Sequence, residues 1–432
     1  MRRKMFIGLS FVGLFLLGLA PCHLTEVMGA EKTVRIGAIW PLSGPVSREG
    51  QEARVAIELA KDIINNKTDL KGIPLAQTGG LPNLGGMKIE IVWGDTEGKP
   101  EIGRAETERL ITREKVVAIL GCYQSAVAIA AIPVAERYGI PFVVADAINP
   151  DICKKGYKFV FRTTPINTAY VKNAHDMIDE FQKEFGTKYE RCVVSHDPSF
   201  QGNDFAKAGT EQALARGYKV IGEVVTQEGA TDVTADVLKI KSMQPEILLL
   251  HHYSANAILL QNAFAKYRVD AKVFMAYPDS YNLSDFLNAT GKNSDYIFSP
   301  GIFPPRLVET QSKMEQVNEM FKQRVKKTGE DLRMSDIGAR DLQAMLVLGE
   351  AINRAGSTDP KAIARALSET DLNQDQVIVP WKGVKFDSTG ENIRASAVIQ
   401  QRQRGHHEIV WPFNMRSAKP VWPAPSWEER LK

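Results

Sequence analysis

One stretch constrains this chain more than any other. Residues 116–149 read Val116-Val117-Ala118-Ile119-Leu120-Gly121-Cys122-Tyr123-Gln124-Ser125, then an alanine-rich segment to Tyr138, then Gly139-Ile140-Pro141-Phe142-Val143-Val144-Ala145-Asp146-Ala147-Ile148-Asn149. A short apolar run, a Gly and a Ser opening a helical pattern, and a second apolar run ending in small and polar residues spell one βαβ unit. The loops after its two strands then lie side by side, and in an open parallel sheet ligands sit outside the carboxyl ends of the strands. Gln124 and Ser125, with Asp146, Ala147 and Ile148, are therefore expected to face a common crevice. Ser125 also opens a helix, where its hydroxyl and the free backbone N–H groups make a seat for a carboxylate. The alternative is that Ser125 only caps that helix.

The same alternation runs on either side. Val34, Ile36 and Ala38 begin a first strand, closed by the turn Pro41-Leu42-Ser43-Gly44-Pro45. Val55-Ala56, Leu59-Ala60 and Ile63-Ile64 recur at helical spacing. Residues 88–93 read as a strand and 101–113 as a helix, with the glycine-bearing stretch 78–86 an excursion and not a phosphate loop, because no strand leads directly into it. A second series follows Lys158-Phe159-Val160-Phe161. Its strands are expected at 191–195, 219–224, 247–250 and 272–276, and its helices at 168–185, 204–216, 233–242 and 255–267. Strict strand and helix alternation points to the α/β class, with parallel sheets covered on both faces. Two such doubly wound halves, each with its own switch point, make two lobes and a cleft. Beyond Thr310 the pattern turns helical (314–326, 337–354, 361–367) and then strand-like (384–386, 395–401, 409–411). Helices after a completed α/β series need a sheet to cover, so they return to the first lobe. The expected division is residues 31–163 and 303–385 for lobe 1, and 164–302 and 386–432 for lobe 2.

Length asks for two such halves, since 432 residues exceed one ordinary core. Arg2, Arg3 and Lys4 precede an apolar run, residues 5–20, and Gly29 and Ala30 offer a cleavage point, the layout of a secretory signal over residues 1–30. That run is too short to favour a permanent span. Cys22 raises the alternative of a lipid anchor, but Pro21 stands where such signals carry a small residue. Removing residues 1–30 takes away three positive charges and one negative, so the formal charge falls from +3 to +1. A near-neutral exported chain argues against nucleic acid as a partner. Cys122, Cys153 and Cys192 remain, an odd number where pairs can oxidise; a Cys122–Cys153 pair and three buried free thiols both fit.

Catalytic signals are thin. His251 and His252, with His196, invite a metal reading, but neighbouring strand residues point to opposite faces, so no metal is expected. One of them lining the cleft beside Tyr253 fits better. His406-His407-Glu408 reads as a solvated turn. Ser125 lacks a G-x-S-x-G setting and an identifiable base, and neither a G-x-G-x-x-G after a strand nor a P-loop is present. No cofactor and no enzyme activity are expected. Asp279, in Tyr277-Pro278-Asp279-Ser280, either pairs with a ligand cation or caps the helix that follows. Phe200 either stacks on a ligand or plugs the core. Arg162 and Asp341 read as structural pairs near the hinge or in a helix.

Several of these segments together resemble the branched-chain amino acid binding proteins, the type I periplasmic receptors of ABC importers. They are Arg35-Ile36-Gly37-Ala38-Ile39-Trp40-Pro41-Leu42-Ser43-Gly44-Pro45 ahead of a long helix, the unit from Gly121 to Asn149-Pro150, Phe386-Asp387 with Gly390, and the export signal. The resemblance covers essentially the whole mature chain. It implies two lobes joined by a three-strand hinge, closing on a small-molecule ligand in the periplasm and docking as a monomer on a membrane permease. In the family a serine at the position of Ser125 and a threonine at that of Ile148 hold the ligand carboxylate, and the carbonyl at that of Asp146 receives the ammonium. An acidic residue at the position of Asp279 and aromatics at those of Phe200 and Tyr253 come from the other lobe; Ser43, in the first turn, is counted with the ligand set. Here the threonine is Ile148 and a usual tyrosine is Phe200. A hydroxyl is lost, and an unmet carboxylate oxygen in a closed cleft costs about 1–3 kcal/mol. The added carboxylate of Asp146 pushes the same way, so the ligand is expected to be an amino acid or a related small polar or aromatic solute.

Overall fold

The computed structural model describes residues 33–277, 279–329 and 332–430, the side chains of Asp279 and Thr328 excepted. The signal expected over residues 1–30, with Cys22, lies outside the described residues. The first series runs β1 (Thr33–Trp40), α1 (Ser47–Asn65), β2 (Lys88–Asp95), α2 (Pro100–Thr112), β3 (Ala118–Gly121), α3 (Ser125–Tyr138), β4 (Phe142–Val144) and β5 (Val160–Arg162). Its five strands are parallel, in the order β2-β1-β3-β4-β5. β3 and β4 are buried on both faces, which is why they read as unbroken apolar runs.

The second series runs α4 (Asn167–Phe185), β6 (Arg191–His196), α5 (Phe200–Ala215), β7 (Lys219–Val225), α6 (Thr234–Met243), β8 (Ile247–His251), α7 (Ser254–Tyr267), β9 (Val273–Tyr277), α8 (Ser284–Thr290) and β10 (Ile297–Gly301). Then come α9 (Pro305–Thr310), α10 (Ser312–Thr328), α11 (Asp336–Ala355), α12 (Pro360–Ser368), β11 (Asp371–Asn373), β12 (Gly383–Lys385), β13 (Val398–Gln403) and β14 (His406–Trp411). The second sheet is ordered β14-β13-β10-β9-β8-β6-β7. β6 to β10 are parallel, whereas β13 and β14 add an antiparallel hairpin at one side. The strand order reverses between β1 and β3 in one sheet and between β6 and β8 in the other, which marks two switch points where ligand crevices form.

Two departures from the sequence reading have physical causes. β10 is not expected from the sequence because Pro300 sits inside it, and proline removes a ladder donor; the strand tolerates it opposite Ile399 of β13. His406–Glu408 is not a turn. The hairpin turn is Arg404-Gly405, both at positive φ (51° and 81°), as a two-residue turn requires, and the three residues open β14. Burial, with Arg402 nearby, pushes the His407 imidazole down to about 4, while Glu408 pairs with Arg306 at 2.7 Å. Cys122, Cys153 and Cys192 are buried free thiols.

α11 is buried on every side from Asp336 to Gly349 and packs along α1, so it carries Arg340, Asp341 and Gln343 into the interior. The crossings between the sheets are tied by side chains. Asp336 Oδ1 accepts from the Ile302 and Phe303 N–H groups at 2.9 and 2.5 Å. Arg162, wholly buried, pairs with Glu391 (Nε to Oε2, 2.9 Å) and donates through Nη1 to the carbonyls of Ala147 and Asn149 at 3.0 and 2.6 Å.

Candidate functional site

On the first sheet, the loops after β3 and β4 are laced together. The Ala145 N–H donates to the Gly121 carbonyl (3.0 Å), Ala147 N–H to Cys122 (3.1 Å), and Asn149 N–H to the Ser125 hydroxyl (3.3 Å). Gln124, not Ser125, is the N-cap residue of α3, and no side chain caps that helix. The Ser125 hydroxyl is thus free of the capping role and bound instead to the neighbouring loop. The first helical bond of α3 starts at Ala128 N–H, so among the described residues the three preceding N–H groups find no acceptor, as helix geometry dictates. Among the described residues nothing accepts from the Ile148 N–H, whose carbonyl receives Asn167 N–H at 2.9 Å. The Ile148 side chain is buried in the core.

Two expected site residues are already spoken for by neighbours. Asp146 Oδ1 takes Arg340 Nε of α11 at 2.7 Å, both side chains being buried, so its charge is met from within the protein rather than turned against a ligand. Ser43 is exposed and donates to Asp95 Oδ2 at 2.6 Å. Asp341 is not the structural pair expected: no donor among the described residues reaches either of its oxygens. Burial and the adjacent Asp146 carboxylate push its carboxyl well above the usual range, against Arg340. Glu52 of α1 completes this acid group. Its Oε1 accepts from Ser335 N–H (2.7 Å), Ser335 Oγ (2.7 Å) and Gly338 N–H (3.0 Å), yet burial outweighs those bonds and raises it to about 7, with Asp146 adding to the rise.

On the second sheet, Asp197 organises the tips of β6 and β8. Its Oδ2 accepts from Tyr253 N–H at 2.9 Å and its Oδ1 from Ser199 N–H at 3.1 Å. Ser199 in turn caps α5 by accepting from Gly202 N–H at 2.9 Å. Gly202 is required there, since a Cβ would lie 2.2 Å from the Asp197 carbonyl oxygen. This brings Phe200 to the first position of α5, 50% exposed; it is not a core plug. The Tyr253 hydroxyl reaches Gln201 Oε1 at 3.5 Å. Burial raises its phenol, helped by Asp197, Glu228 and Glu49 of the first lobe. Neither histidine joins a metal site: His251 lies against Phe205 (4.4 Å between rings), and His252 bonds Tyr281 (3.0 Å) and Ser195 (3.3 Å). Among the described residues no three His, Cys, Asp or Glu side chains are placed to hold a metal ion. Asp279 opens a 3₁₀ turn, Asp279–Tyr281, and α8 begins only at Ser284 behind Leu283. It is therefore not the cap of that helix, and its side chain lies outside the described residues.

The two rims meet. Asp204, one turn into α5, accepts from the Asn149 carboxamide of the first lobe and from Asn167 Nδ2 at 3.2 Å, and Arg48 of α1 faces Asp285 of α8 at 3.5 Å. The sequence does not single out Asn149, Asp204, Glu49, Glu52 and Arg340, because nothing in a single chain pairs positions so far apart. This arrangement offers an anion seat of open N–H groups and a hydroxyl on one lobe, opposed by an aromatic and acidic rim on the other. Among the described residues it presents no nucleophile–base pair.

Comparison with known proteins places the fold and the family. A family model described as periplasmic binding protein matches residues 33–406. The Leu/Ile/Val-binding protein homolog 7 of Brucella suis is 28% identical over 427 residues, which cover 95% of this chain and 96% of that protein. Among solved structures, LivJ of Streptococcus pneumoniae in complex with isoleucine superposes with a TM-score of 0.72 at 21% identity, covering 88% of this chain and 100% of LivJ. A solute binding protein of an ABC transporter from Rhodopseudomonas palustris, in complex with 3,4-dihydroxybenzoic acid, gives 0.70 at 17% identity over 88% and 96%. The fold is that of the type I periplasmic binding proteins. With a family match spanning most of its length and two facing switch-point rims, this chain belongs to the periplasmic binding protein family.

Proposed function

We propose that this chain is the extracytoplasmic solute receptor of an ABC importer. In the periplasm, as a monomer exported by residues 1–30, it takes an amino acid or similarly small polar solute between lobes 31–163/303–385 and 164–302/386–432. The closed form is then presented to a membrane permease, and no bond is made or broken. Ser125, the Ile148 N–H and the loop from Gln124 to Ala147 would hold the carboxylate, while Phe200, Tyr253 and Asp279 close from the other side. Asp146 and Ser43 act through Arg340 and Asp95.

What supports this reading is the set of open donors around Ser125 on one lobe and the Asp197-anchored Tyr253 rim on the other, with Asp204 of α5 bonded to Asn149 of the Ser125 loops. A solute can shift the open–closed balance only by its differential affinity for the two forms, and contacts to both rims supply that difference. A small aromatic acid is the second reading, favoured by the half-exposed Phe200 ring at the mouth of α5. A thermal-shift panel of amino acids, aromatic acids, amides and urea tests both. A solute at about a hundred times its Kd adds about 2.7 kcal/mol of stability, and Ser125→Ala should remove most of the rise in melting temperature. An unchanged rise in that variant would overturn the site assignment.

A further inference from the structure

Asn149 stands where the Ser125 seat, a crossing between the sheets and the second lobe meet. Its backbone N–H donates to the Ser125 hydroxyl (3.3 Å), and its carbonyl accepts from Arg162 Nη1 (2.6 Å), whose guanidinium also holds Glu391. Its side chain, buried at 3% exposure, faces two ways. Oδ1 accepts from the Asp151 N–H (2.9 Å), which fixes the loop, while Nδ2 donates to Asp204 Oδ2 on α5 of the second lobe.

Asp204 is placed at a cost. Burial raises its carboxyl above the ordinary carboxylate value, although Lys154 and Lys207 pull it the other way. Neither lysine forms an ion pair with it among the described residues; two carboxamides meet its Oδ2 instead, those of Asn149 and of Asn167 (3.2 Å). A charge drawn partly out of water without a counter-cation is a poor source of fold stability. The Asn149 bond, moreover, exists only while α5 lies against the loop after β4, so it favours one placement of the lobes over all others. The same loop carries the bond to Ser125, and a solute that engages that hydroxyl acts on Asn149 directly. We propose that Asn149 and Asp204 form a latch that favours the closed form before solute arrives, with Asn149 the positioning residue that ties it to the Ser125 seat. The inference rests on the receptor reading above and adds the regulation of that same cleft. Apparent affinity scales with the populated fraction of the binding-competent form. Breaking the latch therefore weakens every solute by one common factor, whereas loss of a solute contact weakens some more than others.

Small-angle X-ray scattering of the solute-free mature protein tests it, beside calorimetric titration with L-isoleucine and 3,4-dihydroxybenzoate, the solutes held by the two structural relatives. Asn149→Asp sets two carboxylates face to face, and the milder Asp204→Ala removes the acceptor. Each variant is first checked for cooperative melting. Either one should raise the solute-free radius of gyration, about 22 Å for a compact chain of this length. Each probe that binds the wild type should weaken about fivefold or more, by the same factor for both. The exchange variant Asn149→Asp with Asp204→Asn rebuilds the bond with donor and acceptor swapped, and should return the radius to the wild-type value and affinity to within twofold. Single variants with the wild-type radius, an exchange variant as open as Asn149→Asp alone, or unequal weakening of two probes would overturn the inference and leave the receptor reading standing. If neither probe binds the folded wild type, the amino acid and aromatic acid readings fall, and the radius of gyration still decides the latch.

Discussion

Glu52 is a buried carboxyl whose pKa rises from 4.5 to about 7 on folding. A folded-state value above the unfolded one favours the protonated form, so the contribution of this group is fully present below pH 4.5 and is lost as pH climbs through 7. A pKa change of one corresponds to about 1.4 kcal/mol. The loss relative to acid is therefore about 1 kcal/mol at pH 5 and about 3 kcal/mol at pH 8, a difference of about 2–3 kcal/mol. Burial dominates the rise and Asp146 adds to it, whereas the Ser335 and Gly338 donors oppose it. Glu52→Gln keeps an oxygen for those donors and removes the titration. Urea unfolding of wild type and Glu52→Gln at pH 5, 6, 7 and 8 should show wild type losing about 2–3 kcal/mol relative to the variant across that range. Parallel profiles would refute the reasoning, since a carboxyl titrating at its ordinary value would contribute no such slope.

Other perturbations probe the scaffold. Gly50→Ala puts a Cβ 2.0 Å from the Pro41 carbonyl oxygen; that atom is backbone and cannot yield, so a loss of at least about 1–3 kcal/mol is expected in urea unfolding. Arg162→Met strips Glu391 and two carbonyls of a wholly buried donor and should cost about 3–5 kcal/mol by the same measurement. Burial pushes the thiols of Cys122, Cys153 and Cys192 upward, so a thiol reagent such as DTNB should find none of them in the native protein and all three after denaturation.

What the sequence conveys best is local. The βαβ unit, its laced loops and the alternation of the second series follow from apolar runs and from turn residues that act over a few positions. The expected lobe rims carrying Ser125 and Tyr253 lie at the switch points for the same reason. What it conceals is set by distant partners. Asp146 reads as a charge hostile to a carboxylate until Arg340, nearly two hundred positions later, is seen against it. Phe200 is undecided between core and surface until Ser199 and Asp197 fix where α5 begins. β10 hides behind Pro300, and His407 behind polar neighbours that a two-residue turn assigns to a strand.

The most direct measurement is a crystal structure of the mature protein with the solute that raises its melting temperature most. The account expects that solute enclosed between the strand tips of the two sheets, touching Ser125 on one side and Tyr253 on the other. A solute seated on a single sheet, or on the outer surface away from both residues, would contradict it.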